Sequence, residues 1–305
     1  MTNSNAQHGR RNSHKQRGAK GVTVVKTLPT APVIISRVPV FQPTFRRAYG
    51  PRGIELKTSW GTVKVEGKLT ETHRKVLDAI FIGNLDSWRD HNGDCLFLVD
   101  PYKIAKIADL DDNPTALLEL TREMMRAQID LYDNATSKRT ICAIVSKVTM
   151  ANQKAQMPGG YFNGERNLWV VKISAEWMAI YNSGMVMRYK DLLPVLNRIQ
   201  SGAVHALALH VLTHCDVVEH FVVDDLLTRV GAFRDEMTGS AKRKVRQCVR
   251  ESQTILAELG MRLYDGNGKL MLEYRQNERV RFEQRTCPAQ PKSVEPQPKP
   301  PTSAT

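Results

Sequence analysis

The stretch Ser240-Ala-Lys-Arg-Lys-Val-Arg-Gln-Cys-Val-Arg250 holds the side chains best suited to chemistry in this 305-residue chain, and that chemistry is recognition of an anion. At 100° per residue, Val245, Cys248, Val249, Ile255, Leu256 and Leu259 fall within about 120° of arc, the width of a buried stripe. Arg243, Gln247, Arg250 and Thr254 fall opposite, flanked by Ser240 and Arg246. The spacing predicts one helix from Ala241 to Leu259, capped by Ser240 and ended by Gly260. Lys242, Arg243 and Lys244 crowd its first turn, where the helix dipole disfavours cations by about 0.3–1 kcal/mol each. A bound phosphate reverses that conflict, because a helix N-terminus and lysines attract the same anion. Arg243 and Arg250 suit bidentate contacts with guanine edges, and Gln247 suits adenine. Lys242, Lys244 and Arg246 suit phosphates. The alternative is a solvated basic face, the usual fate of a charge run.

The other constellations predict no catalytic site, no metal and no cofactor. His205, His210, His214, Cys215 and His220 cluster, and His210 and His214 are spaced i, i+4. Between those two stand Val211, Leu212 and Thr213, not the glutamate of a zinc protease, and no paired cysteines complete a zinc site. Packed or capping histidines are the expectation; a metal-dependent nickase built on them is the alternative of another class. There is no His-apolar-His pair of the kind rolling-circle nickases use, and no GxxxxGK[ST] phosphate loop. No Ser-His-Asp or Cys-His arrangement stands out. The five cysteines are odd in number and scattered, which argues against a disulfide framework and fits a reducing cytosol. No apolar run is long enough to span a bilayer, and the first thirty residues lack an apolar signal region. A cytoplasmic protein with no membrane partner is therefore expected.

Charge points to a nucleic acid, but not where the total suggests. Lys and Arg number 44 against 31 Asp and Glu, for a net charge of +13. Met1 to Ile54 carry ten bases and no acid; Gln284 to Thr305 carry three bases and one acid; the body between them is left with 13 − 10 − 2 = +1. The excess lies in a basic arm, which supplies sequence-independent attraction. Both ends read as disordered: a basic flexible arm over 1–54 and a Pro-rich tail over 284–305. Within the arm, Val22 to Tyr49 interleaves apolar residues with Pro29, Pro32, Pro39 and Pro43, which forbid a helix and a central strand. It reads as an extended segment packed on the body, or else as one that tracks a partner or nucleic acid.

Two similar halves position the basic helix. The first runs from a cap at Thr70 through Val76, Leu77, Ile80 and Phe81 to a strand at Cys95 to Val99. Asp100-Pro101 opens a short helix, and Asp111-Asp112-Asn113-Pro114 turns into a second that continues through Leu117, Leu118, Met124, Met125 and Ile129. β-rich runs follow at Thr140 to Met150 and Leu168 to Ile173. The second half repeats the order. A helix is predicted from Leu192 to His214 and a strand at His220 to Val223. A short helix capped by Asp224 and the basic helix come next. Two strands then flank Asp265-Gly266-Asn267-Gly268, a tight hairpin. Helix, strand, helix, helix, strand, strand is the order of a winged helix-turn-helix. The expected fold is α+β, with two tandem winged helix-turn-helix domains over 55–187 and 188–283. Asn267 and Lys269 at the second wing join the DNA-binding set. The first half's second helix carries Arg122 and Arg126 among acids, so that domain is expected to have a structural or dimer-forming role, with backbone contacts from Arg122, Arg126, Lys138 and Arg139.

Two stretches resemble a known family. Asp100-Pro-Tyr-Lys-Ile-Ala-Lys-Ile-Ala108 with Thr115 to Ile129, and Gly239-Ser-Ala-Lys-Arg-Lys-Val-Arg-Gln-Cys-Val-Arg-Glu251 with Leu256-Ala-Glu-Leu-Gly260, resemble winged-helix plasmid replication initiators. The similarity is closest to the RepC-like initiators of IncQ-type plasmids. The resemblance implies a protein without a catalytic site that binds iteron repeats in double-stranded origin DNA and promotes opening of adjacent AT-rich DNA. It further implies transfer of the site to a replicative helicase and primase, and a replication-inactive homodimer formed through the first domain. Lys242, Arg243, Lys244, Arg246 and Arg250 would read the iteron. A transcriptional repressor of the same fold is the alternative.

Overall fold

Two helix starts follow from an acceptor side chain placed just before a proline. Asp100 Oδ1 accepts from the backbone N–H of Tyr102 at 3.1 Å and of Lys103 at 3.4 Å. Asn113 Oδ1 accepts from Thr115 at 3.0 Å and Ala116 at 3.1 Å. In each case the proline fills the first helical position, where no backbone donor is needed.

The computed structural model describes residues 30–37, 40–45, 54–57, 61–134, 137–150, 156–157, 161–162, 167–181 and 184–285. The first part of the chain forms β1 (Thr30–Pro32), α1 (Val33–Arg37), β2 (Ile54–Lys57), β3 (Gly61–Glu66), α2 (Glu71–Gly83), β4 (Asp86–Arg89), β5 (Cys95–Val99), α3 (Pro101–Ile107) and α4 (Pro114–Arg126). There follow β6 (Gln128–Asp133), β7 (Lys138–Cys142), β8 (Val145–Met150), β9 (Gln156–Met157), β10 (Tyr161–Phe162), β11 (Trp169–Ile173), α5 (Ala175–Tyr181) and β12 (Gly184–Arg188). The last part forms α6 (Leu193–Asn197), α7 (Gly202–Val211), β13 (Val218–Val222), α8 (Val223–Arg229), α9 (Gly239–Glu251), α10 (Gln253–Glu258), β14 (Met261–Gly266), β15 (Lys269–Arg275) and β16 (Arg281–Arg285). The fold is mixed α and β with several antiparallel sheets. In the first half, α2, β5, α3, α4, β8 and β11 follow in order, and the sheet runs β4-β5-β11-β8. In the second, α7, β13, α8, α9, β14 and β15 follow in order, and the sheet runs β13-β15-β14. Both place the last strand between the other two.

Several expected elements need correction, the first being the helix expected to run through Ile129: α4 ends at Arg126, and Ile129 lies in β6. Thr140 to Met150 is not one β-rich run: β7 ends at Cys142, and β8 starts at Val145 in a different sheet. β6 and β7 pair with β2 and β3 in a sheet of their own. The helix expected from Leu192 to His214 is interrupted between Asn197 and Gly202, and it ends at Val211. Asp224 does not cap α8; it lies in the first turn, and Val222 is the cap.

The arm is not flexible throughout, nor is all the tail. Met1 to Pro29 and residues 286–305 lie outside the described residues. Thr30 to Pro32 pair with β12, and the prolines leave room for the single-turn helix α1 between them. Residues 40–45 then cross the body as a strap, with Val40 and Phe41 buried and Gln42 N–H donating to Leu69 O at 2.8 Å. β16 pairs with the other side of β12, so Gln284 and Arg285 of the expected tail lie in a sheet.

The halves own separate cores. Phe81, Phe97, Ile129 and Trp177 belong to one; Leu209, Leu227, Leu259 and Tyr274 belong to the other. Helix α2 lies at the join, and its charged residues Glu71, Arg74, Lys75 and Asp78 are buried. His205 Nδ1 lies 2.7 Å from Glu71 Oε2, and Tyr189 Oη donates to Asp78 Oδ2 at 2.8 Å. Lys75 Nζ donates to Asn197 O at 3.3 Å, and Asn197 Nδ2 donates to Ile107 O at 3.0 Å. Helix α1 and the strap cross the same seam: Arg37 Nε at the end of α1 donates to Thr213 Oγ1 at 3.0 Å, and Phe45 of the strap meets the His205 ring at 5.4 Å.

This seam titrates. Burial pushes the Asp78 carboxyl up to about 6 from an ordinary 3.8, against the opposing pull of Arg74 and the Tyr189 hydroxyl. A raised carboxyl favours the protonated fold, so its contribution to stability is present at low pH and is lost as pH rises from about 4 to about 6. The native chain should therefore lose on the order of 2–3 kcal/mol across that window relative to Asp78→Asn. Urea unfolding at stepped pH checks this, and parallel curves for the two proteins would refute it.

Candidate nucleic-acid interface

The basic helix starts two residues earlier than its sequence pattern suggests. Thr238, with extended backbone, is the N-cap; its Oγ1 accepts from Ala241 N–H at 3.2 Å, so Ser240 lies inside the helix. The helix is also not continuous to Leu259. Ser252 Oγ donates back to Cys248 O at 2.8 Å, a bond that competes with the helical ladder, and α9 gives way to α10 there. The buried stripe survives this break. Val249, Leu256 and Leu259 are fully buried, and Val245, Cys248 and Ile255 pack partly buried against the same core.

The opposite face sorts its polar groups into two kinds. Arg246 is held by α8: its Nε and Nη2 donate to Asp224 Oδ1 and Oδ2 at 2.7 and 2.6 Å, and its guanidinium lies 5.2 Å from the Phe233 ring centre. Arg250 is held by the wing: Nη2 and Nη1 donate to Asp265 Oδ1 and Oδ2 at 2.8 and 3.4 Å. Each arginine holds its partner carboxyl below the usual carboxylate range, chiefly through the side-chain hydrogen bond. Gln247 Nε2 donates to Glu251 Oε1 at 3.1 Å. Lys242 lies half-buried, its Nζ 5.6 Å from the Phe233 ring centre. Arg243 and Lys244 are exposed, and among the described residues they have no hydrogen-bond or ion-pair partner. The free cations therefore sit at the start of α9, and the tethered ones lie further along it.

The wing is a two-residue turn. Asn267 and Gly268 have φ of +54° and +72°, which suits the mirror-image turn that joins twisted strands and favours Asn-Gly. Asp265 and Gly266 belong to β14, paired with Leu270 and Lys269, so the loop is shorter than the four residues expected. Asn267 and Lys269 are exposed at the tip. The Arg250–Asp265 contact brings this hairpin beside α9.

The first half assembles nothing comparable. On α4, Arg122 Nη1 is paired with Glu119 at 2.6 Å, and Glu123 receives His73 Nε2 at 2.9 Å. Arg126 is exposed at the last turn. Lys138 and Arg139 lie on β7, outside the sheet of β8 and β11, and Arg139 is paired with Asp130 at 2.5 Å. The turn between α3 and α4 carries Asp109, Asp111 and Asp112, all in left-handed backbone (φ 61°, 50° and 53°) that Asp tolerates better than most residues. Three acids there oppose a phosphate backbone.

The histidines are spread across separate roles. His205 meets Glu71, as above. His210 and His214 have ring centres 5.5 Å apart, and burial pushes His210 down to about 4. His214 stands edge-on to Phe221, and His220 Nδ1 lies 3.1 Å from Tyr264 Oη. Among the described residues no three His, Cys, Asp or Glu side chains group as metal ligands, and no helix is long and apolar enough to cross a membrane. The sequence marks Asp224 as a helix cap and Asp265 as part of a hairpin but does not reveal their pairing with Arg246 and Arg250, and nothing in it singles out Phe233 or Thr238. The two acids pair across 22 and 15 residues of chain, and no local periodicity encodes such a pairing.

No family model and no curated protein matches the chain. Among solved structures, the crystal structure of the RctB domains 2-3 aligns with 84% of this chain and 97% of its own at 10% identity, with a TM-score of 0.45. A likeness of that degree assigns no residue and no partner to this chain.

Proposed function

We propose that this protein binds duplex DNA sequence-specifically through its second half, as a replication initiator acting at repeated origin sequences. The observation that carries this is the start of α9. Unpaired Arg243 and Lys244 are exposed there, at the helix end whose dipole would expel cations unless an anion binds, and the exposed Asn-Gly wing is tied to the same helix further along, at Arg250. In each half, helix, strand, helix, helix, strand, strand with the last strand central is read as a winged helix-turn-helix. In that fold the N-terminal part of the second helix enters the major groove. Arg243 and Gln247 then face base edges, and Lys242, Lys244, Asn267 and Lys269 position the backbone. The resemblance of Gly239 to Gly260 to plasmid initiators supports the origin-binding role, iteron recognition and delivery of helicase and primase. The first half, with its acidic turn, serves as the dimer-forming unit. Binding and strand opening require no cofactor, metal or catalytic residue of this chain.

The test starts with selection of bound sites from a random duplex pool. Arg243→Ala should weaken the selected site by about 1–3 kcal/mol and relax preference at one base position. Lys244→Ala should lower the salt slope by about one unit and leave the preference intact. Unchanged affinity in both variants would sink the assignment. A single-strand-specific reagent separates initiator from repressor, since a repressor leaves flanking AT-rich DNA closed.

A further inference from the structure

We infer that Arg246 and Arg250 do not read DNA but brace α9, fixing α8 on one side and the wing on the other through Asp224 and Asp265. This rests on the duplex-reading proposal above and specifies how that site is held in shape. Each arginine meets its carboxylate through two nitrogen–oxygen contacts. A planar guanidinium that meets a carboxylate through two bonds fixes orientation as well as distance. The acids come from the two elements that must keep register with α9: Asp224 from the first turn of α8, and Asp265 from the strand that leads into the Asn267–Gly268 turn. Arg246 is further pinned against Phe233, which belongs to the buried core. Lys242 lies over the same ring, so the face of α9 toward α8 is occupied from its first turn. What remains open to a groove is Arg243, Lys244 and Gln247, followed by the wing tip.

A brace and a reader make opposite predictions for the acid. If Arg250 reads a base, Asp265 competes with DNA for it, and removing the acid strengthens binding. If the pair is a brace, removing either partner loosens the wing and weakens binding. A charge swap is decisive, because it rebuilds a brace but cannot rebuild a reader. Arg250→Asp alone should weaken the selected duplex more than tenfold, as an acid then faces both Asp265 and the DNA. Adding Asp265→Arg should restore affinity to within about threefold with the base preference unchanged. A double variant as weak as the single one, or a changed preference at one base position, would overturn the inference.

A second readout needs no DNA. Amide hydrogen exchange in residues 264–270 should quicken at least threefold in Arg250→Asp and return to the native rate in the swapped protein. Native exchange in Arg250→Asp would overturn the brace even if duplex binding is lost. Arg243→Ala is measured alongside. If it leaves duplex affinity unchanged while the exchange pattern follows the swap, the reading of DNA fails and the brace stands.

Discussion

Arg74→Ala should destabilise the protein by about 3–5 kcal/mol. Arg74 is 5% exposed on α2, where its Nη2 donates to Ser36 Oγ at 2.6 Å. Burial works against its charge, but Glu71, Tyr189 and Asp78 around it hold it protonated. Glu71 and Asp78 are 1% and 6% exposed, so removing the guanidinium leaves two carboxyls buried with one cation fewer. His205 compensates poorly, since burial pushes its imidazole toward the neutral form. Urea unfolding at pH 7 measures the loss. A triple variant, Arg74→Met with Glu71→Gln and Asp78→Asn, removes the charges together and should recover most of it, because the penalty comes from leaving charges unmatched. A loss below about 1 kcal/mol for Arg74→Ala would show that the seam holds its carboxyls without it.

That seam marks where sequence patterning stops being informative. Helix starts were legible because their chemistry is local: Asp100-Pro101 and Asn113-Pro114 declare themselves within four residues, as does the Asn267-Gly268 turn between alternating apolar strands. The buried stripe of α9 was legible because it follows a fixed angular period. By the same periodicity, Glu71, Arg74, Lys75 and Asp78 read as a solvent face, yet they are buried. Burial of a charge depends on what the other half of the chain brings to it, here His205, Tyr189 and Asn197. The β6–β7 insertion was missed for a similar reason. Ala143 and Ile144 contain neither glycine nor proline, so nothing local marks the point where the chain leaves one sheet for another. At the interface, composition concealed the arrangement in a second way. Asp224 and Asp265 lower the net charge of the body, while structurally they sort the cations into tethered and free.

Gly202→Ala should lower stability by about 3 kcal/mol, although by helix propensity alone alanine would raise it by up to about 1 kcal/mol. Gly202 is the first residue of α7, and the strap runs directly over it. A Cβ at this position would lie 2.4 Å from Thr44 Cα and 2.6 Å from its backbone C and N. Backbone atoms cannot rotate aside as a flexible side chain would, so the strap must lift. Lifting exposes Val40 and Phe41, now 0% and 2% exposed, each worth about 1.5–3 kcal/mol when fully buried. It also draws Phe45 away from His205 and from the Lys75 ammonium, which lies 4.2 Å from the ring centre. Local relaxation limits the net cost, since overpacking of this kind is commonly relieved for about 1–3 kcal/mol. The strap touches both halves, so its release should also show as faster tryptic cleavage after Arg37, whose guanidinium is anchored on Thr213. Thermal unfolding gives the first number and timed digestion the second. Native stability with a native cleavage rate in the variant would mean that α7 accommodates the methyl group and that the strap does not hold the two halves together.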